Sequence, residues 1–304
     1  MPCQVFSLLL HKLNLKRIYY TMKCLLVING LSGNSKKLIQ KSVLLDALKE
    51  RYSIIDTHII NQNDGFYDVR RAVVGYDALA VCGGDGTLNR TLNALRDTDI
   101  EFIYFPCGTL NDTARSLKSY EGRKIDVGEF NGRLFSYVSA VGSFTPIGYN
   151  SKPEDKRVFK RLCYYVDAFR EYKLWHVDAE ISTDAFATSG DFTLIMLINS
   201  KSCFGFNFNK LYTPTNGKAH LLLIRAPKAP FALVKMFFLF FRAFFIGFKK
   251  EVHGKNIIFR EVQHANIKLK KPLPFCLDGE LEMGKLENDF VIHKNARQIY
   301  VVRE

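Results

Sequence analysis

DALAVCGGDGTLNRTLNAL, residues 77–95, reads as a short buried strand that ends among glycines and turns at once into a helix. Gly83, Gly84 and Gly86 let the backbone approach a phosphate closely, and the free N–H groups at the start of a helix favour its negative charge. Asp85, held among them, is placed to position a divalent cation or a reacting hydroxyl. Thr87 and Asn89 offer hydrogen bonds to phosphate or ribose. The plainer alternative, a tight strand–helix turn, explains one glycine better than three around an acid. The stretch contains no GxGxxG dinucleotide fingerprint. Gly30 to Lys37 lacks the GK[ST] ending of a P-loop.

Outward from this stretch the same rhythm repeats. KCLLVIN (23–29) and residues 53–60 read as strands, as do residues 100–105. Helical patterns are expected over 35–52, 64–74 and up to Leu117. Strands alternating with helices predict a parallel sheet with helices on both faces, which binds ligands at the carboxyl ends of its strands. At the next such end stands PCGTLNDTARSL (106–117). Adjacent parallel strands would bring Gly108, Thr109, Asn111 and Asp112 to face the Gly83 turn across one crevice. Asn111 or Asp112 is also expected to cap the helix that follows.

After about residue 124 the pattern becomes mostly β and predicts a sandwich or barrel. KIDVGEFNGRLFSYVSAVGSF (124–144) reads as strands around an Asn131-Gly132 turn. Further strands are expected over 177–182, 191–199, 219–224, 256–259, 265–270 and 298–302. The fold class expected is therefore an α/β nucleotide-binding domain plus a mostly β, sandwich-like second domain. The expected division is 22–131, with a return of 296–304 to the first domain, then 132–295. Residues 1–21 read as an extension outside the fold, with Met22 as the expected start.

The 304 residues carry a formal net charge of +13, which suggests a negatively charged partner. Seven scattered cysteines without a CxxC pair argue against a disulfide framework or a zinc site and fit a reducing cytosol. No HExxH spacing occurs among the histidines, and no apolar run reaches the roughly 20 residues that a membrane span needs.

With these residues in view, the chain resembles the diacylglycerol kinase catalytic-domain family. Within it, the resemblance is to bacterial soluble lipid kinases related to sphingosine and ceramide kinases. GGDGTLN followed by PCGTLNDTAR carries the resemblance. It is joined by VING with SGNSKK (27–37), KIDVGEFNGRLF (124–135) and FCLDGELEM (275–283), all in the family's order. GGDGT alone is shared with NAD kinases; the later segments point to lipid kinases.

The resemblance implies an ATP-dependent lipid kinase using Mg²⁺, with diacylglycerol as the leading acceptor. It implies that Gly83, Gly84, Gly86, Thr87, Thr109 and Asn111 hold the nucleotide, with Asn29 and Lys36 or Lys37 beside them. Asp85, Asp112 and Asp126 would hold the metal–water network. Glu280 would be the base that takes the proton of the lipid hydroxyl. The plainer reading of Glu280 is a solvated residue after an Asp278-Gly279 hairpin turn. The alternatives are a NAD kinase-like phosphotransferase with a soluble acceptor, and a catalytically inactive nucleotide- or lipid-binding regulator. Two departures weigh on the acceptor side. Asn216 stands where the family commonly has an acid near a structural metal, and KSCFGF (201–206) lacks its paired glycines.

The expected partners are a lipid substrate at an anionic membrane surface, with a homodimer left open and no nucleic acid. The expected location is cytoplasmic and peripheral to the membrane. Two stretches bear on this. Residues 156–173 mix basic and aromatic side chains. FALVKMFFLFFRAFFIGFKK (231–250) reads first as a helix buried in the β domain, with Lys235, Arg242 and Lys249 as one solvated stripe. Its second reading is a helix lying at a lipid interface.

Overall fold

A computed structural model describes residues 22–29, 46, 48–60, 67–108, 110–117, 124–146 and 174–302. Lys36, Lys37, Thr109, the N-terminal 21 residues and the basic-aromatic stretch 156–173 lie outside these described residues, as does most of the helix expected over 35–52.

The first part is a parallel sheet. Strand β1 (Lys23–Asn29) pairs with β2 (Ile54–Ile60) on one side and β3 (Ala78–Gly83) on the other, and β4 (Glu101–Pro106) continues beyond β3. Helix α1 (Tyr67–Ala72) precedes β3, α2 (Asp85–Ala94) follows it, and the one-turn α3 (Asp112–Ser116) follows β4. All six residues of β3 are buried, as expected of a central parallel strand covered on both faces. One face packs Leu79 and Val81 against Leu88 and Leu92 of α2; the other packs Ala80 and Cys82 near Leu48 and Tyr52.

The second part is antiparallel. Strands β5 (Lys124–Phe130) and β6 (Arg133–Phe135) form the hairpin expected at Asn131-Gly132, where both turn residues have positive φ (48° and 90°). That geometry is the one a two-residue type I′ turn requires. A third strand, β7 (Val138–Gly142), follows directly. Strands β8 (Val177–Thr183), β9 (Ala187–Ile198), β10 (Ala219–Arg225), β11 (Val252–His253), β12 (Ile257–Val262) and β13 (His264–Leu269) come next, then the hairpin β14 (Pro274–Leu277) and β15 (Glu280–Met283). The last strand, β16 (Glu287–Val301), joins the two parts. It pairs antiparallel with β13 over Glu287–Val291 and with β5 between Phe290 and Gln298, and Ile299–Val301 pair parallel with β4.

Period-two alternation builds the β core. Ile195 and Leu197 of β9 and Leu221 and Leu223 of β10 face the sandwich interior with Phe130, Phe275 and Phe290. Their neighbours Leu194, Met196, Leu222 and Ile224 face the other way. That second face is covered by helix α4 (Ala232–Phe240) and the π-helical turn after it (Phe241–Ile246).

Here the structure departs from the sequence reading. Only Met236, Phe240 and Ala243 of this segment are buried. The side left to solvent is apolar rather than a basic stripe. Arg242 does not join such a stripe, because it donates to the Gly247 carbonyl at 2.6 Å and lies over the Phe248 ring.

Candidate active site

The two glycine turns meet. Cys107 donates its N–H to the Gly83 carbonyl at 2.8 Å. A Cβ added to Gly108 would stand 2.6 Å from the Cα of Gly84, and one added to Gly83 would strike the Thr87 side chain at 2.5 Å. Glycine at these positions is thus demanded by close approach. Asn29, at the end of β1, donates its amide to Thr87 Oγ1 at 2.8 Å. The carboxyl ends of three strands therefore converge on the start of α2.

That start has no side-chain cap among the described residues; Gly84 is the N-cap residue of α2. The first N–H groups of such a helix have no intrahelical acceptor and, with the helix dipole, favour an anion.

The start of α3 is different. Its cap, expected from Asn111 or Asp112, comes from the other turn. Asp85 Oδ2 accepts the N–H of Asp112 at 2.9 Å, and Asp85 Oδ1 that of Thr113 at 3.1 Å. Asn111, in left-handed backbone (φ 52°), closes its own loop instead. Its Oδ1 accepts the Gly108 N–H at 2.9 Å, and its amide donates to the carbonyls of Gly108 and Pro106 at 3.1 and 3.3 Å. It shapes the turn from within.

Of the three aspartates expected at a metal, two come together. Asp85 and Asp112 lie side by side, and burial, followed by the Asp112 charge, pushes the Asp85 carboxyl up to about 7. Asp85 keeps a sliver of exposure, whereas Asp112 is fully buried. Asp112 accepts the Ser202 hydroxyl at 2.8 Å and the Gly205 N–H at 3.2 Å, so it ties the 201–206 loop to the site.

Asp126 has other partners. It accepts the N–H groups of Gly217 and Asn295 at 2.6 and 2.8 Å and anchors the 212–218 turn to β5 and β16. Among the described residues no group of three or more acidic, cysteine or histidine side chains is arranged to hold a metal ion. Of the carboxylate pair, Asp85 is the one with some exposure beside the start of α2, where a cation bound with phosphates could reach it. Mg²⁺ commonly binds through one or two carboxylates plus substrate phosphates. Near Asn216 the arrangement does not suit a metal, because the Asn216 amide donates to Glu261 at 3.0 Å and its oxygen accepts the Lys218 N–H at 3.1 Å.

Two residues change role. Asn89, expected at the nucleotide, is fully buried and donates to the Leu134 carbonyl and to Asp278 Oδ2, both at 2.9 Å. Asp278, read only as a turn residue, is the acid that sequence reasoning missed. It does sit in the turn (φ 49°), but its carboxylate is buried. It accepts the N–H groups of Ser136, Tyr137 and Val138 and the Ser136 hydroxyl. Ser136 in turn meets Thr113 Oγ1 at 2.9 Å. One buried polar seam therefore runs from Asp85 through α3 to the β14–β15 turn. The available sequence signal was the apolar run Phe275–Leu277 leading straight into an acid.

The seam sets Glu280. It follows the Asp278-Gly279 turn, and its Oε1 would lie 3.0 Å from a Cβ on Gly86. Glu280 is partly exposed and ion-paired with Arg90 at 2.6 Å. A carboxylate from the β part thus stands at the uncapped start of α2.

The chain is similar to known proteins. The model of the diacylglycerol kinase catalytic domain matches residues 23–129. The chain is 27% identical over 247 residues to a diacylglycerol kinase of Staphylococcus carnosus, covering 75% of this chain and 78% of that protein. It is 26% identical over 246 residues to a diacylglycerol kinase of Bacillus subtilis, again covering 75% and 78%. A crystal structure described as a diacylglycerol kinase from Bacillus anthracis shares the fold, with a TM-score of 0.67 at 17% identity over 91% of this chain and 96% of that one. The domain match assigns residues 23–129 to the diacylglycerol kinase catalytic-domain family, and the chain as a whole is similar to these relatives.

Proposed function

We propose that the protein transfers the γ-phosphoryl group of ATP to a lipid hydroxyl, with diacylglycerol as acceptor and phosphatidic acid as product. The observation that carries this reading is the placement of Glu280 beside Gly86, at the uncapped start of α2. Phosphoryl transfer requires in-line positioning, neutralisation of phosphate charge and one group to take the nucleophile's proton. The N–H groups from Gly84 onward would hold phosphate oxygens, with Thr87 fixed by Asn29 beside them. Gly108 and Asn111 form the facing wall of the crevice. Asp85 is the residue that would hold Mg²⁺, which when bound neutralises charge on the transferring group. Glu280 would accept the proton of the lipid hydroxyl at its carboxylate, and Arg90 holds that carboxylate in place.

Transfer of labelled phosphate from ATP should be measured on diacylglycerol, on a panel of other lipid alcohols and on NAD. Label in phosphatidic acid is the expected result, reduced roughly 10²–10⁴-fold in Glu280→Gln. Label in NAD with none in any lipid would overturn the reading.

A further inference from the structure

Helix α4 and its π-helical continuation present an apolar face to solvent. Leu233, Val234, Phe237, Phe238, Phe241 and Phe245 lie on it, with Phe238 63% and Phe245 64% exposed. The rings form a ladder: Phe237 stacks on Phe241 at 6.2 Å and Phe241 on Phe245 at 5.1 Å. A helix packed on a sheet ordinarily turns its polar side outward. Contiguous exposed apolar surface of this kind marks an interaction site.

The charge around the face says what covers it. From Phe192 to Lys250 the chain carries nine lysines and arginines and no aspartate or glutamate. Exposed ammonium groups rim both ends of the helix. Lys235 Nζ reaches the Lys228 carbonyl at 3.4 Å at the start, and Lys210 Nζ reaches that of Ile246 at 3.4 Å at the end, where Lys249 and Lys250 follow. A second copy docking through the same face would set lysine rim against lysine rim, which is repulsive. A lipid bilayer bearing anionic headgroups satisfies both features, since rings enter the acyl boundary while ammonium groups meet phosphates.

The face also adjoins the crevice. Phe206 contacts Phe245 with ring centroids 4.9 Å apart, and its neighbour Gly205 donates to Asp112. The 201–206 loop therefore runs from the apolar face to the carboxylate pair.

We propose that the outer face of α4 and its π-helical turn docks on an anionic bilayer and turns the 201–206 side of the crevice toward the lipid. The orienting part of this rests on the lipid-kinase reading; the docking itself does not require nucleotide.

The test is co-sedimentation of the protein, without ATP, with vesicles of phosphatidylcholine alone or mixed with phosphatidylglycerol. The wild type should bind the mixed vesicles at least about tenfold more tightly. Phe237→Ser/Phe238→Ser should lose at least about tenfold of that binding. Both side chains are more than half exposed and neither ring meets the 201–206 loop, so the variant keeps the fold, and it should phosphorylate water-dispersed short-chain diacylglycerol at the wild-type rate. Lys235→Glu/Lys249→Glu should lose the preference for phosphatidylglycerol. Equal vesicle binding by wild type and phenylalanine variant, or concentration-dependent self-association that the variant abolishes, would overturn the proposal. Intact vesicle binding with no transfer to any lipid would instead count against the lipid-kinase reading alone.

Discussion

Asp85 caps the helix that begins at Asp112, its two oxygens accepting the N–H groups of Asp112 and Thr113 at 2.9 and 3.1 Å. One acid of the first glycine turn thus fixes the position of the second. An amide in its place keeps the shape but turns one acceptor into a donor facing an N–H. Asp85→Asn should lower phosphate transfer at least about a hundredfold. It should also lower stability by about 0.5–2 kcal/mol, the usual worth of a helix cap. Steady-state kinetics and a denaturant melt check both. Loss of activity without loss of stability would remove the capping role.

Asp278 should matter more to folding than Glu280 two residues on. Truncation at Asp278→Ala leaves the N–H groups of Ser136, Tyr137 and Val138 without their acceptor and takes one of two acceptors from the Asn89 amide. Each buried donor left unpaired costs about 1–3 kcal/mol. The expected result is a loss above about 3 kcal/mol in urea unfolding. Glu280→Gln should change stability by less than about 1 kcal/mol, because its partner Arg90 is largely exposed.

Contact between the turns predicts the effect of a single methyl. In Gly108→Ala the new Cβ meets the Cα of Gly84 at 2.6 Å and Asn111 Oδ1 at 2.7 Å. Backbone must move, at roughly 1–3 kcal/mol, and the crevice widens. Binding of a fluorescent ATP analogue should weaken at least about tenfold, with a lowered melting temperature.

His220 supplies a pH signature remote from the site. It is stacked on Phe259 at 4.7 Å, and burial lowers its pKa to about 4, opposed by the charge of Glu251. The unfolded chain takes up this proton near 6.5 and the folded protein only near 4, so the contribution to stability is whole above pH 6.5 and lost as pH falls towards 4. Each pKa unit is worth about 1.4 kcal/mol. Asp85, with its raised pKa, contributes in the opposite sense, losing stability as pH rises from 3.8 towards 7. The difference between wild type and His220→Gln removes that term. It should narrow as pH drops from 6.5 to 4; a difference independent of pH would contradict the burial of a neutral His220.

What could be read from the sequence was local. The Gly83–Gly86 and Gly108 turns, and the Asn131-Gly132 hairpin, announce themselves because glycine and asparagine mark backbone that other residues enter at a cost. The meeting of the two turns followed from parallel neighbours alone. The partners of buried acids did not, because they are long-range. Asp278 is held by Ser136–Val138 across 140 to 142 positions of chain, and Asp126 by Asn295. No spacing in the sequence expresses these contacts. The segment 231–250 is apolar on most of its circumference, so periodicity alone could not tell which side the sheet would cover. Phe204 in left-handed backbone (φ 53°), beside Gly205 (φ 81°), shows that the 201–206 loop keeps a glycine-type turn although a glycine is missing.

A crystal structure with a non-hydrolysable ATP analogue, magnesium and a short-chain diacylglycerol probes the site at its centre. The β- and γ-phosphates should lie on the N–H groups from Gly84 onward, opposite Gly108, with the metal on Asp85 and the acceptor hydroxyl within hydrogen-bond reach of Glu280. A triphosphate bound away from the start of α2, or a lipid hydroxyl on the far side of the nucleotide from Glu280, would contradict it.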